Sequence, residues 1–117
     1  MEFEYTTDVV VVGSGAAGLT AAIAARDVGC EVIVLESMDK VGGSTAKSGG
    51  GFWIPNNPQM KACGVDDSYE AALTYMNEVI PEKGPASSKK KRETYLKNGP
   101  EMLTLLESLG FKAVYAR

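Results

Sequence analysis

The stretch DVVVVGSGAAGLTAAIAARDVGCEVIVLE, residues 8–36, decides the fold. It opens on DVVVV, residues 8–12, an unbroken β-branched run ending at glycine, which predicts a strand buried on both faces of a parallel sheet. The period then changes. From Ala16 to Asp27 alanines dominate, Leu19 and Ile23 stand at i and i+4, and Gly29 follows as a stop, so a helix is predicted. EVIVLE, residues 31–36, is a second short apolar run bounded by turn formers. Strand, helix and strand in this order make a βαβ unit over residues 8–36, whose crossover is expected to be right-handed.

Between the first strand and the helix, Gly13, Gly15 and Gly18 supply the pattern G-x-G-x-x-G. Gly13 permits the tight turn out of the strand, Gly15 lets the backbone approach a pyrophosphate, and Gly18 lets the helix pack close to the sheet. The free N–H groups and partial positive charge at the helix start favour phosphates. Glu36, at the end of the second strand, can accept hydrogen bonds from both hydroxyls of an adenosine ribose and would repel a 2′-phosphate. The pattern therefore predicts a Rossmann-like site for an ADP-containing dinucleotide other than NADP. A glycine-rich turn that binds nothing is the weaker reading once strand, helix and acid all fall in place. Nicotinamide and flavin dinucleotides share this half-site. What separates them is GGSTAKSGGG, residues 42–51, where a simple nicotinamide enzyme would continue into a helix. A tightly bound flavin needs backbone and small side chains along its ribityl chain and ring.

The remainder is read more coarsely. SMDKVGGSTAKSGGG, residues 37–51, has no regular period and reads as a loop, or a loop feeding a helix start. FWIPNNP, residues 52–58, reads as turns. Asp66 or Asp67 is expected to cap a helix through about Ile80, with Tyr69, Ala72, Leu73, Met76, Val79 and Ile80 on one face. After a break at PEKGP, residues 81–85, Ser87 or Ser88 caps a basic helix. Pro100 then opens a second one, with Leu103, Leu106 and Glu107 before a stop at Gly110. FKAVYAR, residues 111–117, alternates weakly enough to begin a strand. This gives an α/β chain: a βαβ unit (8–36), a flavin loop (37–57) and a helical segment (66–110), all within one FAD-binding region, 1–117.

Composition sets the outer bounds. The chain has 117 residues, 44% hydrophobic and 23% charged, as expected for a soluble globular protein. A net charge of −3 argues against a general nucleic-acid binder. No signal peptide or transmembrane segment is predicted, so a cytoplasmic location is expected. Histidine is absent, and Cys30 and Cys63 lack metal-ligand spacing, so no metal site is expected and both thiols read as reduced packing residues. Without histidine, proton transfer by this chain would fall to a carboxylate, Tyr, Lys or Cys.

DVVVVGSGAAGLTAAIAARDVGCEVIVLE followed by VGGSTAKSGGGFWIPNN resembles the amino terminus of the FAD-dependent fumarate reductase and succinate dehydrogenase flavoprotein superfamily. STAKSGGGFWIPNN is most similar to the 3-ketosteroid dehydrogenase branch, as are KNGPEMLTLLESLG and FKAVYAR. The resemblance implies non-covalent FAD, since a histidyl flavin link is excluded here. It also implies a small apolar substrate such as a 3-oxosteroid, hydride transfer from that substrate to flavin, and an external electron acceptor. Position by position, Gly13, Gly15, Ala16, Ala17 and Gly18 would line the pyrophosphate and Glu36 would hold the adenosine ribose. Gly42, Gly43, Ser44 and Thr45 would contact the diphosphate and ribityl region; Ser48, Gly49 and Gly50, with Gly51, would approach the isoalloxazine. By the same pattern this chain is the amino-terminal part of a larger flavoprotein. The family's catalytic tyrosines would lie beyond Arg117, so no catalytic residue is assigned. Reduction of an activated double bond in a small dicarboxylate or enoate is the alternative activity, and a non-catalytic remnant is a third reading.

Other features have plainer readings beside functional ones. Trp53, with Phe52 and Ile54, reads first as core packing and second as one wall of an apolar substrate pocket. KKKR, residues 89–92, reads as a solvated helix face rather than a nuclear or lipid address. Tyr69, Tyr75 and Tyr95 read as packing residues with a hydrogen-bonded tip. Lys47 reads equally as a charge near reduced flavin or a solvent-facing lysine.

Overall fold

The computed structural model describes residues 3–114. The chain divides into two compact units, Met1–Phe52 and Trp53–Arg117. The first runs β1 (Val9–Val12), α1 (Ala16–Asp27), β2 (Val32–Leu35) and α2 (Gly43–Lys47). β1 and β2 pair in parallel, from Val9 against Val32 to Val12 against Leu35. The ladder is fixed at both ends. Val9 N donates to Glu31 O at 3.1 Å and Gly13 N to Leu35 O at 2.7 Å, while Asp8 Oδ2 accepts from the Glu31 amide at 2.8 Å.

α1 packs on both strands because Gly18 lets it come close. A Cβ at Gly18 would stand 2.0 Å from Gly13 O and 3.3 Å from Val11 Cγ1. The helix ends in a double backbone closure, Gly29 N to Arg26 O and Cys30 N to Ala25 O, which satisfies carbonyls the helix leaves open. Ala22 is the buried residue of α1, because the close approach leaves room only for a small side chain, while Leu19 and Ile23 are 40% and 38% exposed. One expectation is corrected here. β1 is buried on one face alone: Val11 is inside, whereas Val10 and Val12 are 55% and 83% exposed. α1 covers one face of this two-stranded sheet, and an unbroken valine run does not say what covers the other. Of the two readings of residues 37–51, the loop feeding a helix start agrees with the structure, where the five-residue helix α2 follows Gly42.

The second unit holds α3 (Pro58–Ala62), α4 (Tyr69–Val79), a short 3-10 turn (Pro85–Ser87) and α5 (Lys89–Ser108). FWIPNNP is more than turns. Asn57 accepts from the Met60 amide at 2.9 Å and Pro58 takes the first helical position, so Asn-Pro starts α3. The cap of α4 is Ser68, whose Oγ accepts from Ala71 N at 3.1 Å, rather than Asp66 or Asp67. Asp67 is occupied elsewhere, accepting from Asn56 N at 2.7 Å and Ser68 N at 2.8 Å. Ala72 and Met76 of α4 meet Leu96 of α5, with Tyr69, Leu73 and Ile80 packed around them. Val79, expected on that face, is exposed.

The two helices expected around Pro100 are one. α5 runs through it without a break, using Ser88 as its N-cap position. A proline bars its predecessor from helical geometry mainly through that residue's Cβ and N–H, and Gly99 has no Cβ. Its bare face instead meets Ile54, whose Cγ2 would lie 3.2 Å from a Cβ there. Leu96 before the proline and Leu103 after it are both buried, so packing on both sides offsets the one missing helical bond. Gly110 follows the helix end as expected. Phe111–Val114, the first part of the stretch expected to begin a strand over 111–117, carry no regular structure, and residues 115–117 of it lie outside the described residues.

Candidate functional site

The turn from β1 into α1 exposes a helix N-terminus. α1 has Gly15 at its N-cap position and no side chain of its own to cap it. The amides of Gly15, Ala17 and Gly18 have no hydrogen-bond partner among the described residues, and Ala16 and Ala17 are exposed. Such orphan N–H groups, with the positive end of the helix dipole, form an anion site of the kind a pyrophosphate fills. The Ala16 amide differs, because it donates to Thr45 Oγ1 at 3.1 Å.

That bond brings the second glycine-rich segment to the first. α2 begins beside the α1 turn: a Cβ on Gly43 would lie 3.5 Å from Gly15 Cα. Gly42 sits in the left-handed region at φ 110°, and a Cβ there would meet Ala46 Cβ at 2.6 Å, so only glycine starts α2 in this way. Its amide donates to Ser14 Oγ at 2.9 Å. Ser14 is 1% exposed.

Ser14 faces Glu36 on its other side. Its amide donates to Glu36 Oε2 at 3.0 Å and its hydroxyl donates to the same oxygen. Glu36 Oε1 accepts from the Met38 amide at 3.0 Å and from Ser37 Oγ at 3.3 Å. The Ser14 hydroxyl first, then the backbone of Met38, Ser14 and Ser37, lower the Glu36 carboxyl to about 2, well below its usual range. The group is therefore a full anion at neutral pH, able to accept hydroxyls and unfavourable to a phosphate.

The structure thus places Gly13, Gly15, Ala16, Ala17, Gly18, Glu36, Gly42, Gly43 and Thr45 around one corner of the first unit. Ser44 is exposed on α2 with no side-chain bond among the described residues. Ser48, Gly49 and Gly50 continue past α2 in an exposed stretch organised by Ser48, whose Oγ donates to Thr45 O at 2.8 Å and accepts from Gly50 N at 3.1 Å. Lys47 ends α2, exposed. Sequence reasoning missed Ser14. It occupies a variable position of the glycine pattern, and only the fold shows both glycine-rich segments meeting on its hydroxyl.

In the second unit Trp53 is half exposed and stacks on Tyr95, with ring centroids 6.4 Å apart, while Tyr75 tilts against it at 5.7 Å. The Tyr95 hydroxyl donates to Trp53 O, and burial raises its ionisation above the ordinary tyrosine value. Of FWI, only Ile54 is core. Arg92 departs from the solvated KKKR face: it is 7% exposed, donating to Asn77 Oδ1 at 3.0 Å and Ser87 O at 2.7 Å. Cys63 is exposed rather than packed. Among the described residues no cluster of His, Cys, Asp or Glu is arranged to hold a metal ion, and no helix is long and apolar enough to cross a membrane.

A parallel βαβ unit with a bare helix N-terminus and a carboxylate after its second strand defines a dinucleotide-binding fold. The sequence matches the family described as FAD binding domain over residues 8–117, and the chain belongs to that family. Its cofactor is FAD. The 3-oxosteroid 1-dehydrogenase of Mycolicibacterium smegmatis is 50% identical over 99 residues, which are 85% of this chain and 17% of that protein. The crystal structure of 3-ketosteroid delta1-dehydrogenase from Sterolibacterium denitrificans in complex with 1,4-androstadiene-3,17-dione superposes with a TM-score of 0.78 at 40% identity. It covers 87% of this chain and 17% of that one. The 3-ketosteroid-delta4-(5alpha)-dehydrogenase from Rhodococcus jostii, in complex with 4-androstene-3,17-dione, gives 0.79 at 38% identity over 95% of this chain and 23% of that one. The chain therefore spans about a fifth of the length of these relatives.

Proposed function

We propose that this chain is the FAD-holding portion of an oxidoreductase acting on CH–CH bonds of a 3-oxosteroid or similar apolar ketone. The observation that carries the site reading is the Ser14 bridge, which ties Glu36 at the ribose end to Gly42 at the start of the second glycine-rich segment. Orphan amides at Gly15, Ala17 and Gly18 would take the pyrophosphate, and Glu36 the adenosine ribose. Gly42, Gly43, Ser44 and Thr45 would follow the diphosphate and ribityl chain, and Ser48, Gly49 and Gly50 would approach the ring. The residues fit the group, since donors, acid and small side chains stand in the order an FAD molecule presents its parts. Bound FAD supplies the hydride acceptor, while this chain binds and orients it. With no histidine in the sequence, the flavin is held here without a histidyl link.

The apolar substrate class is supported by the named steroid ligands of the two related structures. A dicarboxylate site would call for arginine or histidine to grip carboxylates. The test is dye-linked oxidation of a 3-oxosteroid against reduction of fumarate by the full-length flavoprotein that carries this segment, with FAD bound. Turnover of the steroid alone is expected, and turnover of fumarate alone would reject the reading.

A further inference from the structure

Glu36 is engaged on both oxygens before any nucleotide arrives. A carboxylate offers about four acceptor positions. Ser14 N and Oγ fill those of Oε2, and Met38 N and Ser37 Oγ those of Oε1. A ribose can bond Glu36 only by displacing one of these donors. They differ in how readily they leave. The amides are fixed by the chain path. The Ser14 hydroxyl is buried and gripped from its far side by the Gly42 amide at 2.9 Å. Ser37 is exposed, makes a long bond of 3.3 Å, and frees its hydroxyl by one side-chain rotation.

We infer that Ser14 is the positioning residue for Glu36, and that the Ser37 hydroxyl holds the ribose's place on the carboxylate until the nucleotide displaces it. The inference rests on the reading of Glu36 as the ribose ligand. Ser14 uses its hydroxyl in both directions, donating to Glu36 and accepting from Gly42, so one side chain sets the spacing between the adenosine end of the site and its second glycine-rich segment. Ser37 does the opposite work. It keeps Oε1 satisfied in the free protein and leaves without disturbing the backbone. Every hydrogen bond to Glu36 comes from a neutral donor, which preserves the negative charge that discriminates against a 2′-phosphate.

Two measurements on the full chain separate the parts of this inference: a carboxyl-carbon NMR titration of Glu36 without nucleotide, and a fluorescence titration with FAD. Ser14→Ala is expected to move the Glu36 midpoint upward, from about 2 toward its ordinary 4.5, and to weaken FAD about tenfold, the loss typical of one hydrogen bond to a charged group. Ser14→Thr, which keeps the hydroxyl, restores both. Ser37→Ala is expected to bind FAD about threefold more tightly, because no donor has to be displaced. An unmoved Glu36 midpoint in Ser14→Ala overturns the positioning role. Weaker FAD binding by Ser37→Ala overturns the displacement, and since Ser37 is on the surface this holds whatever Ser14→Ala does to folding. A wild-type chain that ignores FAD yet shows the carboxyl shift overturns the ribose reading and the displacement with it, while the hold of Ser14 on Glu36 stands.

Discussion

Thr45 Oγ1 accepts the Ala16 amide at 3.1 Å, so a residue of the second glycine-rich segment caps the helix that follows the first. α1 has no capping side chain of its own, and the contact ties α2 to the N-terminal end of α1. Replacing Thr45 with Val keeps the shape and removes the acceptor. The expected result is faster hydrogen exchange at Ala16 and a loss of about 1 kcal/mol in stability, the usual value of an N-terminal cap.

Gly18→Ala is expected to be far more damaging than a glycine substitution further on. Its Cβ would fall 2.0 Å from Gly13 O, a backbone atom that cannot turn aside. Either α1 moves off the sheet or the turn opens, at about 2–3 kcal/mol in chemical denaturation. At Gly51 nothing lies within 4 Å of the added carbon, and Gly51→Ala is expected to stay within about 0.5 kcal/mol of wild type.

Acid should loosen the site late. The carboxyl of Glu36 is lowered from 4.5 to about 2, so its contribution to stability is complete above pH 4.5 and disappears as pH falls toward 2. Met38 and Ser14 amide resonances should report this loss in that window. Glu36→Gln should remove the pH dependence at those amides.

Arg92 is expected to matter to stability while its lysine neighbours do not. Arg92→Ala leaves Asn77 Oδ1 and the carbonyl of Ser87 without their donor and empties a buried position, for about 2–3 kcal/mol. Lys89, Lys90 and Lys91 are exposed, and alanine at each should change thermal stability by less than about 0.5 kcal/mol.

The βαβ unit was legible because each of its parts has a local signal: the valine run, the alanine helix from Ala16 to Asp27, the three glycines and Glu36. What escaped depended on partners distant in sequence. Arg92 looks like a fourth surface cation until Asn77 and Ser87 are seen around it. Pro100 looks like a helix start because its tolerance inside α5 comes from Gly99 and from packing by Leu96 and Leu103 on either side. Ser68 outcompetes Asp67 as a cap because Asp67 is already bonded to Asn56. The α3 start is different, since Asn57-Pro58 was a readable signal that the turn reading passed over. At the candidate site, the bond of Thr45 to Ala16 and that of Gly42 to Ser14 depend on where α2 lies, which the glycine pattern does not say.

The most direct test of the account is equilibrium binding of FAD to the wild-type chain and to Glu36→Gln, read by flavin fluorescence with ADP as competitor. Saturable FAD binding that ADP displaces, weakened about tenfold or more in Glu36→Gln, is the expected result. A chain that binds no FAD, or binds it equally well without the Glu36 carboxylate, would contradict it.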